Sequence, residues 1–348
     1  MPSPESMRIM QELESLETLS QGFSTALEEG VKSRDLGSLE ALRQELEIKR
    51  DALRDKLNPF ESTINLKEQY KSQWEILERT GVLKSLSSGE RGIVGIDGED
   101  YPMPSYEEIV KRMKENKEVL STKIEQGFGK LLVVPQGMSL DHLIENYKQT
   151  LLTHHTEGKL FATKKYPSDP NIRLDLNTIT PIRAQDGYKY ADIDKTLVYY
   201  PTSFSEHHHG KTKQELIREE GGWSILLVED MPNIPKEGQK TSIASRPQFE
   251  VGKTPNAYLA LLTTDPRYQH ESGLTPEAWL IYALTHLEET NQFIEDIGIT
   301  PYNLGGYFPV PSYVPLASWG RDNRQVYLGT CNPNIHQTYM GARSAVKI

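Results

Sequence analysis

Apolar residues recur every three or four positions between residues 7 and 32. Ile9, Leu13, Leu16, Leu19, Phe23 and Leu27 form one stripe, the spacing of an amphipathic helix. After a polar break at 33–37 a second stripe runs from 38 to 57 through Leu39, Leu42, Leu46, Leu53 and Leu57. Its acidic residues crowd the start and its basic ones the end, which suits the helix dipole, and Asn58-Pro59 stops it. A third pattern, 62–80, carries Ile64, Leu66, Tyr70, Trp74 and Leu77. Residues 1–82 therefore read as a helical hairpin or small bundle. The plain reading is an intramolecular packing unit. The sharper one is an arm for homo-oligomerisation; its heptads are few and interrupted, so a coiled coil is only one form it can take.

The pattern then changes. Residues 83–92 are rich in Ser and Gly and read as a linker and a domain boundary. Residues 92–101 read as a hairpin turning at Asp97-Gly98. Ser105, with Glu108 three residues on, predicts a capped helix through residue 120. KLLVVP at 130–135 predicts a buried strand, and Ser139 a second capped helix to about 155, with Leu140, Leu143, Ile144, Tyr147 and Leu151 inward. This makes 92–163 a small α+β segment. Residues 164–187 are polar and loop-rich, a second boundary. From 188 on, short strands are expected at 197–201 and 222–230, then a long loop at 232–254. Helices should open at Thr254-Pro255 and at Thr275-Pro276-Glu277, the latter reaching about residue 296. The fold class is α+β.

The last fifth of the chain alternates two textures. Gly305 to Phe308, Gln325 to Gly329 and Gly341 to Val346 carry β-branched, aromatic and glycine residues suited to short buried strands and tight bends. Between them, 312–320 and 330–339 mix Ser, Tyr, Trp, Asn, Thr, Cys and His without a period, the composition of adaptable binding surfaces. Trp319-x-Arg321, Arg324-Gln325-x-x-x-Leu328-Gly329 and the closing Gly341-Ala342-Arg343-Ser344-Ala345-Val346 carry a family likeness. So does the stretch from Leu274 through Trp279 to Asn291. On these residues the chain, from about Trp223 onward, resembles the variable proteins of diversity-generating retroelements.

That resemblance implies a C-type-lectin-like domain at 188–348 with a variable region near 309–340. It implies a non-enzymatic protein whose diversified C-terminal surface binds a protein or surface ligand. The displayed positions would be Ser312, Tyr313, Ser318, Trp319, Gly320, Asp322, Asn323, Thr330, Cys331, Asn332, Asn334, His336, Thr338 and Tyr339, with Trp319, Tyr313 and Tyr339 as anchors. Arg321, Arg324, Gln325, Leu328, Gly329, Gly341, Arg343 and Ala345 would be scaffold, supported by the helix around Trp279, Tyr282, Leu284 and Leu287.

Composition narrows the alternatives. The 348 residues are 36% hydrophobic and 25% charged, which fits a soluble globular chain, and the net charge of −10 makes binding to nucleic acid a poor first choice. No apolar run approaches twenty residues, so no membrane span is expected. The acidic start is not a signal peptide, and the single cysteine, Cys331, excludes an intrachain disulfide; a cytoplasmic location is the expectation.

No catalytic residue, cofactor or metal is expected. His207, His208 and His209 are consecutive, and on an extended segment they point to alternating faces. His154 and His155 read as helix-end complements to the dipole. Gly210-Lys211-Thr212 and Gly252-Lys253-Thr254 lack the earlier glycine of a phosphate loop, since Ser205 and Pro247 stand there. His286-Leu287-Glu288-Glu289 is not the zinc-protease order; His286 is expected half-buried and the glutamates solvated or capping. Asn332-Pro333-Asn334 lacks the carboxylates that calcium needs. Two other readings stay open: an enzyme of the formylglycine-generating type on the same fold, for which the lone Cys331 supplies no cysteine pair, and a structural or interaction protein acting through its helical arm.

Overall fold

The structure, a computed structural model, describes residues 60–163, 173–175, 180–184, 193–320 and 325–348, with helical positions scattered between 15 and 49. The first two expected helices lie largely outside the described residues. The chain divides into two compact units, Met1–Leu66 and Lys67–Ile348. In the first, the helical turn Glu61–Ile64 ends at Asn65, which sits in the left-handed region at φ 53°. Asn tolerates that conformation better than most residues, so the expected helix over 62–80 is broken there.

The second unit is α+β. Its longer helices are α1 (Leu66–Arg79), α2 (Tyr106–Glu115), α3 (Lys117–Glu125), α4 (Leu140–Thr156), α5 (Lys213–Glu220), α6 (Pro255–Thr264) and α7 (Pro276–Thr290). Its main strands are β1 (Lys130–Val134), β2 (Thr180–Ala184), β3 (Ser224–Val228), β4 (Glu271–Gly273), β5 (Thr300–Tyr302), β6 (Val314–Gly320), β7 (Gln325–Cys331), β8 (Met340–Ala342) and β9 (Ser344–Lys347). One sheet is antiparallel, in the order β4-β9-β3-β1. The closing strand β9 thus lies inside it, with Ala345 between Ser272 and Val228. The other runs β8-β5-β6-β7-β2, with parallel pairing at both edges and antiparallel pairing in the middle.

Helix α7 is the centre of the unit. Its residues from Pro276 to Thr285 are all buried, because Ala278-Trp279-Leu280-Ile281-Tyr282-Ala283-Leu284 is apolar around the whole circumference. It packs against β1, β6 and α4, where Trp279 meets Tyr147 edge-on with ring centroids 6.3 Å apart. Thr275 caps it as the Thr-Pro start predicts, accepting a hydrogen bond from the Ala278 N–H. It stops at Thr290 rather than near 296, because Asn291 turns left-handed at φ 58°.

An exposed strand edge invites unwanted pairing. Here α1 covers β1 with side chains that imitate a further strand. Gln69 accepts from the Leu131 N–H at 2.8 Å and donates to the Gly129 carbonyl at 2.7 Å. One helical turn on, Gln73 accepts from the Val133 N–H and donates to Thr285 of α7.

Several expectations need correction. Residues 83–92 are not a linker: Lys84–Ser85 pairs with Arg91–Val94, which continues into Asp100–Pro102 through the Asp97-Gly98 turn. Segment 92–163 is not separate from 188–348, since β1 pairs with β3 along its full length. A strand buried on both faces carries no mark of which strand it joins. Ser105 caps α2 as predicted, but the helix breaks at Asn116. Ser139 makes no capping bond; the Leu140 N–H donates to the carboxylate of Asp194 instead. The stretch 312–320, expected to be irregular, is mostly β6, paired residue for residue with β7 from Val314↔Cys331 to Gly320↔Gln325.

Candidate ligand-binding surface

The hairpin β6-β7 decides where the expected display positions fall. Strand residues alternate between faces, and here both faces are covered. Val314 and Cys331 join an aromatic cluster with Tyr302, Tyr258 and Phe249. Ala317, Trp319, Val326 and Leu328 are buried on the opposite face. Trp319 is 4% exposed and stacks on Phe293, ring centroids 3.7 Å apart and planes 6° from parallel. Ser318 and Cys331 are buried too. Expected as displayed, these three residues are core, because a strand packed on two sides leaves them no solvent face.

The remaining positions separate along the hairpin. Ser312, Tyr313 and 330–339 lie at the end where Val314 meets Cys331. Gly320 lies at the other end, about 20 Å away at the usual rise per residue. Asp322 and Asn323, with Arg321 and Arg324, lie outside the described residues. The fourteen positions therefore form no single patch. Ser312, Tyr313 and Thr330 are only partly exposed. Ser312 is at φ 74°, its hydroxyl 2.7 Å from the Tyr307 hydroxyl.

The segment 332–340 makes the surface. Asn332 Oδ1 accepts from the Asn334 N–H and its carbonyl from the Ile335 N–H, an Asx-type turn. Asn256, in the first turn of α6, donates from Nδ2 to Asn334 Oδ1 at 2.8 Å and from its backbone to the Pro333 carbonyl. His336 Nε2 donates to the Gly252 carbonyl at 2.9 Å, which fixes that nitrogen as the protonated one. The Gly252 N–H donates to the Met340 carbonyl, and the Thr300 N–H to that of Tyr339. Asn332, Asn334 and His336 are exposed but spend polar atoms holding the loop. Thr338 and Tyr339 are exposed, Tyr339 at 47%, with no side-chain hydrogen bond among the described residues.

Immediately after them the chain re-enters the core. A Cβ on Gly341 would come within 3.0 Å of Ile234 and 3.2 Å of Val251. Buried Arg343 donates from Nε to Glu295 at 2.6 Å and lies over the Tyr282 ring. Ala345 and Leu328 are buried, and Tyr282 Oη reaches the carbonyls of Glu229 and Met231. Asn256 and Gly252, which fix the loop, fell in a stretch whose sequence shows only a loop and a helix start.

The other chemical candidates resolve individually. Both Gly-Lys-Thr segments are helix starts: Thr212 forms a full capping box with Glu215, and Thr254 caps α6. His207 and His209 are exposed; His208 Nδ1 accepts from the Gly210 N–H. No group of three or more His, Cys, Asp or Glu side chains able to hold a metal occurs among the described residues. His154 lies in the last turn of α4 as expected, and it is also a buried partner of Glu288, 2.8 Å away; Glu288 also binds Arg79. Glu289 pairs with Lys130. Neither glutamate is simply solvated. No helix among the described residues is long and apolar enough to cross a membrane.

Two groups here have testable titration behaviour. Burial pushes the Cys331 thiol up to about 12, so the reactive thiolate is scarce at neutral pH. Maleimide labelling of the native protein should be slow at pH 7.5 and become fast in denaturant; fast native labelling would show an open thiol. His286 is half-buried, its Nε2 without a partner among the described residues, and burial, with the charge of Arg343, pulls its imidazole down to about 4 from 6.5. The unfolded chain takes up that proton first, so stability is lost as pH falls from about 6.5 towards 4. His286→Gln should flatten this part of the profile, read as urea midpoints at pH 7 and 4.5. An unchanged acid slope would remove His286 as its source.

Comparison with family models, with curated proteins and with solved structures finds no match for this chain.

Proposed function

We propose that the 332–339 loop is the recognition surface of a non-enzymatic binding protein of the diversity-generating retroelement type, carried on a C-type-lectin-like domain. One observation carries the reading. Thr338 and Tyr339 stand exposed, their side chains without a hydrogen bond among the described residues, just ahead of Gly341, Arg343 and Ala345, which are locked into the core. Such a junction lets side chains change on one side without disturbing the fold on the other. Tyr339 supplies rigid contact area at low entropy cost, as aromatic anchors in binding surfaces do. The burial of Trp319, Ser318 and Cys331 confines display to fewer positions than the texture of the tail implies. The buried, raised thiol of Cys331 gives no support to cysteine-based catalysis.

The test is genetic. The gene's surroundings should contain a reverse transcriptase and an imperfect copy of the gene's own 3′ end. Deep sequencing of that end should show substitutions at the codons for Thr338 and Tyr339, fewer at Asn334 and His336, and none at Gly341, Arg343 or Ala345. Uniform variation along the tail, or no template copy, would overturn the reading.

A further inference from the structure

A cleft of about 370 Å³ lies beside α6, with Lys240, Phe249, Lys253, Leu261, Arg267 and Tyr268 among its walls. That volume falls in the range that holds small ligands. Its floor is rigid: Phe249 and Tyr268 are buried and pack with ring centroids 4.8 Å apart, and the guanidinium of Arg246 backs Tyr268 at 5.3 Å. Tyr268 is almost wholly buried, and it forms part of the cleft wall.

The charges at the mouth are unbalanced. Glu250, the one carboxylate in the wall among the described residues, accepts from the backbone N–H groups of Gly238 and Lys240. Arg267 is held by Asp265 at 2.6 Å. Glu237, whose carboxylate lies over Gly252, pairs with neither lysine. Lys240 and Lys253 thus enter no ion pair among the described residues, on a chain whose net charge is −10. Two lysines without an ion pair, in a wall that also carries buried aromatic rings, match an anion carrying a flat apolar body.

We propose that this cleft binds a small planar organic anion. Lys240 and Lys253 hold its charged group, and the body lies against Leu261, Phe249 and Tyr268. The proposal does not depend on the function assigned to the 332–339 loop.

The test uses the full chain and matched probe pairs, each an anion beside its uncharged counterpart: indole-3-acetate with indole-3-acetamide, and adenosine 5′-monophosphate with adenosine, titrated calorimetrically. At least one anion should bind, with its neutral partner at least about tenfold weaker, the loss of one charge-assisted contact. Lys240→Gln and Lys253→Gln, both exposed and so harmless to folding, should each remove most of that difference. The idea fails if no anion in either pair binds, if the neutral partner binds equally well, or if both lysine variants bind as the parent does.

Discussion

Replacing Arg246 by Met should destabilise the second unit by about 3–5 kcal/mol, the usual cost of removing one partner from a buried ion pair. The side chain is 1% exposed. It donates to Glu271 from Nε at 2.7 Å and from Nη2 at 2.6 Å, to Ser344 at 3.0 Å, and pairs with Glu229. Lys123 adds a second cation on Glu271 at 2.7 Å, so the group is neutral: two cations, two carboxylates. It ties α3, β4, β9 and the 246–250 segment together. Methionine would leave two buried carboxylates facing one lysine. Adding Glu229→Gln to Arg246→Met should recover part of the loss by restoring neutrality. Urea denaturation followed by circular dichroism measures both. A loss under about 1 kcal/mol for the single variant would mean that a carboxylate takes up a proton instead and that the network contributes little.

That cluster also shows what sequence patterns conceal. Arg246 sits in a loop-rich stretch and meets Ser344 98 positions away. Lys213 opens α5 as an ordinary first-turn residue, yet it is fully buried on Glu277 of α7 at 2.9 Å. Periodicity is a local signal and cannot mark long-range charge pairing. What it does mark came through: Ser105, Thr254 and Thr275 cap helices where the Thr-Pro and capping patterns place them, and the apolar runs at 130–134 and 224–228 are buried strands. The tail was harder. Absence of a hydrophobic period describes the exposed loop 332–339. It equally describes β6, where Pro315, Ser318 and Trp319 are buried because both faces of the strand are packed. Composition alone does not separate an open loop from a strand with two covered faces.

Trp319→Ala and Tyr339→Ala should therefore diverge sharply, although the two aromatics share one texture in the sequence. Trp319 loses its stacking on Phe293 and leaves a cavity beside α7, so its truncation should cost about 3–5 kcal/mol. Tyr339 leaves only a gap at the surface: its side chain makes no hydrogen bond among the described residues, while its backbone carbonyl keeps the bond from Thr300. Its loss should stay within about 0.5 kcal/mol. Both are read as urea midpoints of the full chain. Similar losses for the two variants would put Tyr339 in the core and end the case for a surface that changes without touching the fold. The expected split makes Tyr339 a position that selection for binding can alter freely and Trp319 one that it cannot. The boundary between recognition and frame then falls at Met340, where the chain's last two strands begin.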